Sequence, residues 1–488
     1  MTPSGPSRPA DGDPNDHGLL SAAEVGLLID HYELTMAASY LRRGMSDAAI
    51  FELFVRRLPE QRSWLLVAGL GPALRLVGEM RFGVRELAYL RSLGFGEDFL
   101  AYLRDFRFSG DVDAMPEGTV AFADEPLVRV TAPRIEAQML ETLLLNQVNF
   151  QTMVATNAAR VVLAAGDGEP GAGDRLIDFS PRRDHGLDAA MKVARSAAIA
   201  GAGGTSNVAA AMRFGLRPVG TMAHSYVMSF GAEEDAFRAF MEDFPDAAVM
   251  LVDTYDTLTG VRHAIAAARA TGVRLAGVRL DSGDLLELSR GARALLDAAE
   301  LQDARILASG DLDERRIADL VAAGAPIDAW GVGTDLGTSR DSPVVNGVYK
   351  LVADRAGDTW RDVFKRSPAK ATVPGAKQVF RRYEDGRMTG DVIGLATESL
   401  PGTPLLVPAM RAGRPVHEET ISAMRARAAS ELSAVPRALR RSDSASGRYP
   451  VRWSHACVAP LRAAGAAPPG PVAGEVVPAT EGAAGGMQ

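Results

Sequence analysis

Between residues 247 and 336 short apolar runs alternate with amphipathic stretches. The runs cover 249–252, 276–280, 306–308 and 329–332. The stretches at 260–270, 285–301 and 314–323 repeat their apolar residues at helical spacing. Strand and helix alternating at roughly 25–30 residue intervals is the signature of a parallel βα array. An α/β barrel is the expectation, with a doubly wound sheet as the alternative. Each run ends in acidic, glycine or hydroxyl residues: Asp253, then Asp281-Ser-Gly-Asp284, then Ser309-Gly-Asp311, then Gly333-Thr-Asp335. Folds of this kind place their sites at the carboxyl ends of strands. The same residue types also cap helices, so taken singly each carries both readings.

Upstream the pattern changes. Residues 19–103 read mostly as helix, interrupted at 48–55 by alternating, β-branched positions that read as a strand. Short β runs separated by turns fill 108–130, and 137–165 reads as a long helix ended by the glycine-rich loop 166–173. The expected organisation is therefore a disordered tail at 1–18 and an α+β domain at 19–150, open to completion by C-terminal segments. An irregular α/β barrel at 151–350 and a C-terminal segment at 351–462 with a basic loop and helices follow. A second disordered tail covers 463–488, rich like the first in Pro, Gly and Ala.

Composition narrows the function. With 488 residues and a net charge of −8, the chain lacks the basic balance of a general nucleic-acid binder. A few arginines can still form a local pocket for an anionic substrate. Cys457 is the single cysteine, which rules out an intramolecular disulfide or a cysteine-rich zinc site and suits a reducing, cytoplasmic setting. Residues 1–18 carry no apolar run, so no signal peptide is expected, and no stretch approaches the roughly 20 apolar residues of a membrane span.

Among seven histidines, His224 in Gly220-Thr-Met-Ala-His-Ser is the candidate for chemistry. A neutral imidazole is a nucleophile near neutral pH and can accept a phosphoryl group, although a histidine satisfied in the core fits the segment equally. The Gly333 loop, with Thr334, Thr338 and Ser339, offers backbone N–H and hydroxyl donors suited to a phosphate monoester. Arg279-Leu-Asp-Ser-Gly-Asp284 sets a guanidinium beside carboxylates that could hold ribose hydroxyls or Mg²⁺, or form an internal salt bridge. Asp178-Phe-Ser-Pro-Arg-Arg183 offers Phe179 as an aromatic face and Arg182 as a cation for a flat anionic ring. Lys365, Arg366, Lys370 and Lys377 make a basic loop that suits a diphosphate or a solvated surface. No GxGxxG after a first strand, no GxxxxGK[ST] and no GxSxG is present. The strand ends supply no lysine for a Schiff base.

Taken together and in order, Asp30-His-Tyr-Glu-Leu-Thr-Met36, Phe51-Glu-Leu-Phe-Val-Arg56, residues 179–186, Gly204-Thr-Ser-Asn207, Gly220 to Ser225, Arg279 to Asp284, the Gly333 loop, Val348-Tyr-Lys-Leu351 and Pro374-Gly-Ala-Lys-Gln378 resemble nicotinate phosphoribosyltransferases. The resemblance runs over about residues 19–420 and implies the type II phosphoribosyltransferase fold. It implies that nicotinate and 5-phosphoribosyl 1-diphosphate give nicotinate mononucleotide and diphosphate in NAD salvage, coupled to hydrolysis of the co-substrate ATP. It also implies a homodimer with sites at the interface; Mg²⁺ is expected with the substrate phosphates, its protein ligands left open, with Asp281 or Asp311 as candidates. On this resemblance His224 is the phosphorylated histidine and Asp253 the carboxylate that orients it. Tyr32, Thr221 and Arg279 fall in the nicotinate pocket, Phe179 and Arg182 are the stacking face and its cation, and Thr334 contacts the ribose phosphate. Asp281, Ser282, Gly310, Asp311, Gly333, Lys365 and Lys370 fall among the substrate contacts. Ser206 stands where the related nicotinamide-using family has an aspartate, which would repel a carboxylate substrate.

Overall fold

The apolar runs become strands with both faces covered, which is why Val278, Leu280, Ile306, Ala308, Trp330 and Val332 are fully buried. The computed structural model describes residues 19–21, 23–365, 372–416, 418–440 and 448–466. The chain divides into two units, one of residues 153–343 with 421–447, the other of residues up to 152, 344–420 and from 448 onward.

The first of these holds six parallel strands: β1 (Leu176–Asp178), β2 (Gly204–Thr205), β3 (Val249–Leu251), β4 (Gly277–Leu280), β5 (Arg305–Ala308) and β6 (Ala329–Val332). Their order across the sheet is β2-β1-β6-β5-β4-β3. Every neighbour is thus consecutive in the chain except that the last strand pairs with the first, Trp330 with Leu176 and Val332 with Asp178. That is the cyclic order of a barrel opened at one seam, between β2 and β3, so the expected α/β barrel is present as a curled half-barrel. Beyond β2, the Thr205 N–H donates to the Arg217 carbonyl (3.1 Å) and the Val219 N–H to the Thr205 carbonyl (2.9 Å), adding an irregular stretch that leads to Gly220 and His224.

Capping separates two kinds of strand-end residue. The helices Thr257–Thr271, Leu285–Ala298 and Glu314–Ala322 are capped by Asp256, Asp284 and Asp313, whose side chains accept from Thr259, from Leu286 and Glu287, and from Arg316. Asp253, Asp281 and Ser309, about three residues earlier, cap nothing and are left for other work.

In the second unit a seven-stranded antiparallel sheet joins Thr359–Asp362, Gly347–Ala356, Ala48–Val55, Pro126–Pro133, Asp111–Ala114, Val407–Arg411 and Arg414–Pro415 in that order. Segment 351–462 is therefore not a separate region. Its early strands flank the N-terminal ones, while the helix Ile421–Ala434 belongs to the half-barrel unit. The arginines at 425 and 440 in this stretch are anchored. Arg440 is buried and donates to the Val435 and Gly168 carbonyls and to Glu169, and Arg425 pairs with Asp174 at 2.7 Å. Loop 166–173 thus meets part of this segment. The tails at 1–18 and 467–488 lie outside the described residues, as does Lys370.

Candidate active site

Arg279, on β4, is the hub of the half-barrel's strand ends. Its Nε donates to Ser309 Oγ (2.8 Å), one terminal nitrogen to Thr221 Oγ1 (3.3 Å) and the other to Asp281 Oδ1 (2.7 Å). Three of its five N–H groups are thereby fixed and two remain. The guanidinium carbon lies 5.1 Å from the centre of the Phe179 ring, within cation–π range. The cation over Phe179 is therefore Arg279; Arg182, assigned that place from the sequence, is exposed on the following turn. Gly331 makes room for this arrangement, since a Cβ there would sit 2.5 Å from ring atoms of Phe179.

Asp281 links Arg279 to the histidine. Its Oδ1 takes hydrogen bonds from Arg279 and Ser309, and its Oδ2 lies 3.9 Å from His224 Nε2. Burial raises the pKa of this carboxyl, but the Ser309 hydroxyl, Arg279 and His224 outweigh it and hold the group below the usual carboxylate range. His224 begins the short helix His224–Met228, and its Nδ1 lies 3.1 Å from Thr254 Oγ1. The orienting role expected of Asp253 is not what the structure shows. Asp253 turns its Oδ2 to the Asp281 N–H (3.0 Å) and the Ser282 hydroxyl (2.7 Å), and the histidine is held by Thr254, the next residue along. Asp253 thus braces the 281–282 turn.

Under Phe179, the buried Asp178 accepts from the Ser180 N–H (2.9 Å), the Ser180 hydroxyl (2.6 Å) and Thr205 Oγ1 (2.7 Å). The Ser206 N–H donates to the Asp178 carbonyl at 2.8 Å, which places Ser206 beside the same turn. Ser180 also reaches Asp184 at 3.1 Å, and burial pushes the Asp184 carboxyl up to about 6. After β5, Gly310 adopts φ +90° and Asp311 φ +46°. A Cβ on Gly310 would fall 1.8 Å from the Asp281 carbonyl oxygen, so only glycine lets these two strand ends touch. Gly333 precedes the short helix Thr334–Thr338, and Thr334 is exposed at its start.

Thr221, Arg279, Asp281, Ser282 and His224, with Asp253, are thus joined by direct contacts, while Phe179 and Ser206 share the neighbouring turn. Tyr32 and Lys365 belong to the other unit. Tyr32 lies on the helix His31–Arg42, its hydroxyl pushed up by burial and by the Glu141 carboxylate. Lys365 is exposed, its N–H bound to Thr372 Oγ1. Lys377, read from the sequence as part of the basic loop, is buried against Glu52 at 2.7 Å and donates to the Val373 and Gly375 carbonyls. Thr254 is the residue that sequence reasoning missed, and Ser309 was noted only as a strand end without a role; the signal for each was position alone, just after an apolar run.

Models of two family domains match this chain: the nicotinate phosphoribosyltransferase N-terminal domain over residues 27–149 and the nicotinate phosphoribosyltransferase family over 175–388. Nicotinate phosphoribosyltransferase pncB2 of Mycobacterium tuberculosis is 48% identical across 89% of this chain and 93% of its own.

The chain belongs to the nicotinate phosphoribosyltransferase family.

The family's Bacillus subtilis member is 44% identical over 77% of each chain. The crystal structure of human nicotinic acid phosphoribosyltransferase superposes with a TM-score of 0.77 at 30% identity, covering 90% of this chain and 99% of that one. The family's catalytic-domain match includes every strand-end residue of the site named above, from Asp178 to Thr334.

Proposed function

We propose that this chain transfers the phosphoribosyl group of 5-phosphoribosyl 1-diphosphate to nicotinate, releasing diphosphate, and couples the transfer to ATP hydrolysis through His224. The observation that carries this reading is the sharing of Asp281 between Arg279 and His224. One carboxylate joins a cation suited to the substrate's carboxylate to a nucleophile suited to phosphorus.

One N–H is left on each terminal nitrogen of Arg279, the donors a pyridine carboxylate needs for a paired hydrogen bond. Phe179 is 7% exposed, so its main service is to hold that guanidinium, and its rim is what a pyridine ring would meet. Bond formation from the pyridine nitrogen to C1′ and departure of diphosphate pass through an oxocarbenium-like state. Fixing the ring and holding the phosphates are therefore the work required of the protein. Donors at Gly333, Thr334 and Gly310 suit the 5′-phosphate and ribose. Serine at 206 spares nicotinate's carboxylate the repulsion an aspartate would bring.

Among the described residues no three His, Cys, Asp or Glu side chains form a cation cage. A small hard cation held chiefly by phosphate oxygens and water needs only one or two carboxylates. Asp311, exposed at the end of β5, fits that part better than Asp281, which Arg279 and Ser309 already occupy. Mg²⁺ there would supply charge neutralisation for the leaving diphosphate. With Nδ1 on Thr254, the Nε2 of His224 is free to attack the γ-phosphorus of ATP, with ADP leaving; water later hydrolyses the phosphohistidine. NAD salvage in the cytoplasm is the setting this activity serves, and a homodimer is the assembly proposed with it.

Turnover of nicotinate against nicotinamide, with and without ATP, tests the assignment. Nicotinate mononucleotide formation stimulated by ATP is expected, together with an acid-labile phosphoenzyme from γ-labelled ATP that His224→Asn abolishes. Labelling retained in that variant would remove His224 from the scheme, and preference for nicotinamide would overturn the substrate.

A further inference from the structure

We propose that Arg160 is a positioning residue for phosphate recognition, holding the segments that follow β5 and β6 in fixed relation from beneath. The proposal rests on the reading above that these segments meet the phosphates. It concerns a residue on the long helix Glu141–Ala165, outside the strand ends.

Arg160 is 6% exposed and spans two carboxylates. One terminal nitrogen donates to Glu314 Oε1 at 2.6 Å and the other to Asp341 Oδ2 at 2.5 Å. Glu314 opens the helix that follows Gly310 and Asp311, and Asp341 closes the segment that begins with Gly333 and Thr334. One turn earlier on the same face of the long helix, fully buried Asn157 donates to Asp335 Oδ2 (3.2 Å) and to Asp341 Oδ1 (3.3 Å). Asp335 is the residue after Thr334. On the outer side Arg340 approaches Asp313 (3.4 Å) and Asp335 (3.8 Å), pairing the same two segments a second time.

A buried ion pair is weak evidence for stability, because desolvation offsets its attraction and apolar residues of equal volume often serve as well. What apolar packing does not supply is fixed direction. The planar fork of an arginine sets two carboxylates on two loops at one separation, and a lysine, as a point charge, cannot span both. Backbone N–H groups recognise phosphate only when they converge within a few tenths of an ångström.

The test compares KM for the two substrates in Arg160→Lys and in Asp341→Asn, the latter loosening only the segment after β6, with Tm measured alongside. KM for 5-phosphoribosyl 1-diphosphate is expected to rise about tenfold or more while KM for nicotinate stays within about twofold. If the two KM values rise together, or neither moves, the positioning role is overturned; should Arg160→Lys fail to fold, Asp341→Asn decides alone. Thr334→Val separates the two levels of the argument. If it raises KM for the diphosphate and the Arg160 and Asp341 variants do not, the positioning proposal fails alone; if it leaves that KM unchanged, the phosphate-loop reading itself fails.

Discussion

Arg279 and Phe179 meet face to cation, 5.1 Å apart, across two strand ends that lie 100 residues apart in the chain. The ring, three partner oxygens and the strand backbone together leave the guanidinium one orientation, with its remaining N–H groups unclaimed among the described residues. Lysine at this position keeps the charge and loses the fork. Arg279→Lys is expected to lower kcat/KM for nicotinate by about ten- to a hundredfold, the worth of one charged hydrogen-bond pair. Steady-state kinetics at saturating 5-phosphoribosyl 1-diphosphate measure it, and a loss under about twofold would show that the fork does not hold the substrate.

Gly331 tests the same contact from the other side. A methyl group there would sit 2.5 Å from two ring carbons of Phe179, well inside van der Waals contact, so the ring must shift and carry Arg279 with it. Gly331→Ala should raise KM for nicotinate by roughly tenfold or more with a smaller effect on the phosphoribosyl donor. Equal effects on both substrates would point to a general distortion of β6.

Much of this was legible in the sequence, and the rest was not for definable reasons. The strand Ala329–Val332 follows its apolar run to the residue, because a covered strand admits little else, and the strand Ala48–Val55 follows its alternating, β-branched positions with the same bounds. The cluster at 281–284 was legible as chemistry but not in its division of labour: Asp284 caps a helix and Asp281 faces the site. That division depends on which way each side chain turns. Asp253 and Thr254 show the same limit, since neighbours on a strand end point to different sides and the sequence does not say which meets His224. Lys377 was misread because its partner, Glu52, lies hundreds of residues away, beyond any local pattern.

Asp184 gives the fold a measurable pH dependence. In the unfolded chain an aspartate titrates near 3.9, whereas burial, opposed in part by the Ser180 hydroxyl and reinforced by Asp178, pushes Asp184 up to about 6. The folded state therefore binds more protons between these values. Its stability falls as pH rises from about 4 to about 6, and the cost is complete above that. Asp184→Asn removes the ionisation and offers Ser180 a permanent donor. Tm should rise at pH 7, with a gain of about 1 kcal/mol once solvent screening of a half-buried group is allowed for. Stability curves of the two proteins that stay parallel from pH 4 to pH 7 would contradict this.

Thr254 decides which nitrogen of His224 can react. An imidazole that attacks phosphorus must present an unprotonated nitrogen, and Nδ1 lies 3.1 Å from the Thr254 hydroxyl. When that hydroxyl accepts from Nδ1–H, the lone pair is left on Nε2, facing the space beside Asp281. Thr254→Val keeps the shape and removes the acceptor, so the ring is free to hold its proton on either nitrogen and to rotate. Phosphoenzyme formation from ATP should slow by about tenfold, the equivalent of roughly 1.4 kcal/mol of lost orientation, while turnover without ATP changes little because the Arg279 cluster is untouched. Thr254→Ser, which restores the hydroxyl, should recover the rate. Rapid-quench measurement of labelled enzyme separates these outcomes. Normal phosphorylation in the valine variant would mean that the histidine is oriented by Asp281 alone, and an equal loss with and without ATP would place Thr254 in the support of the whole strand end.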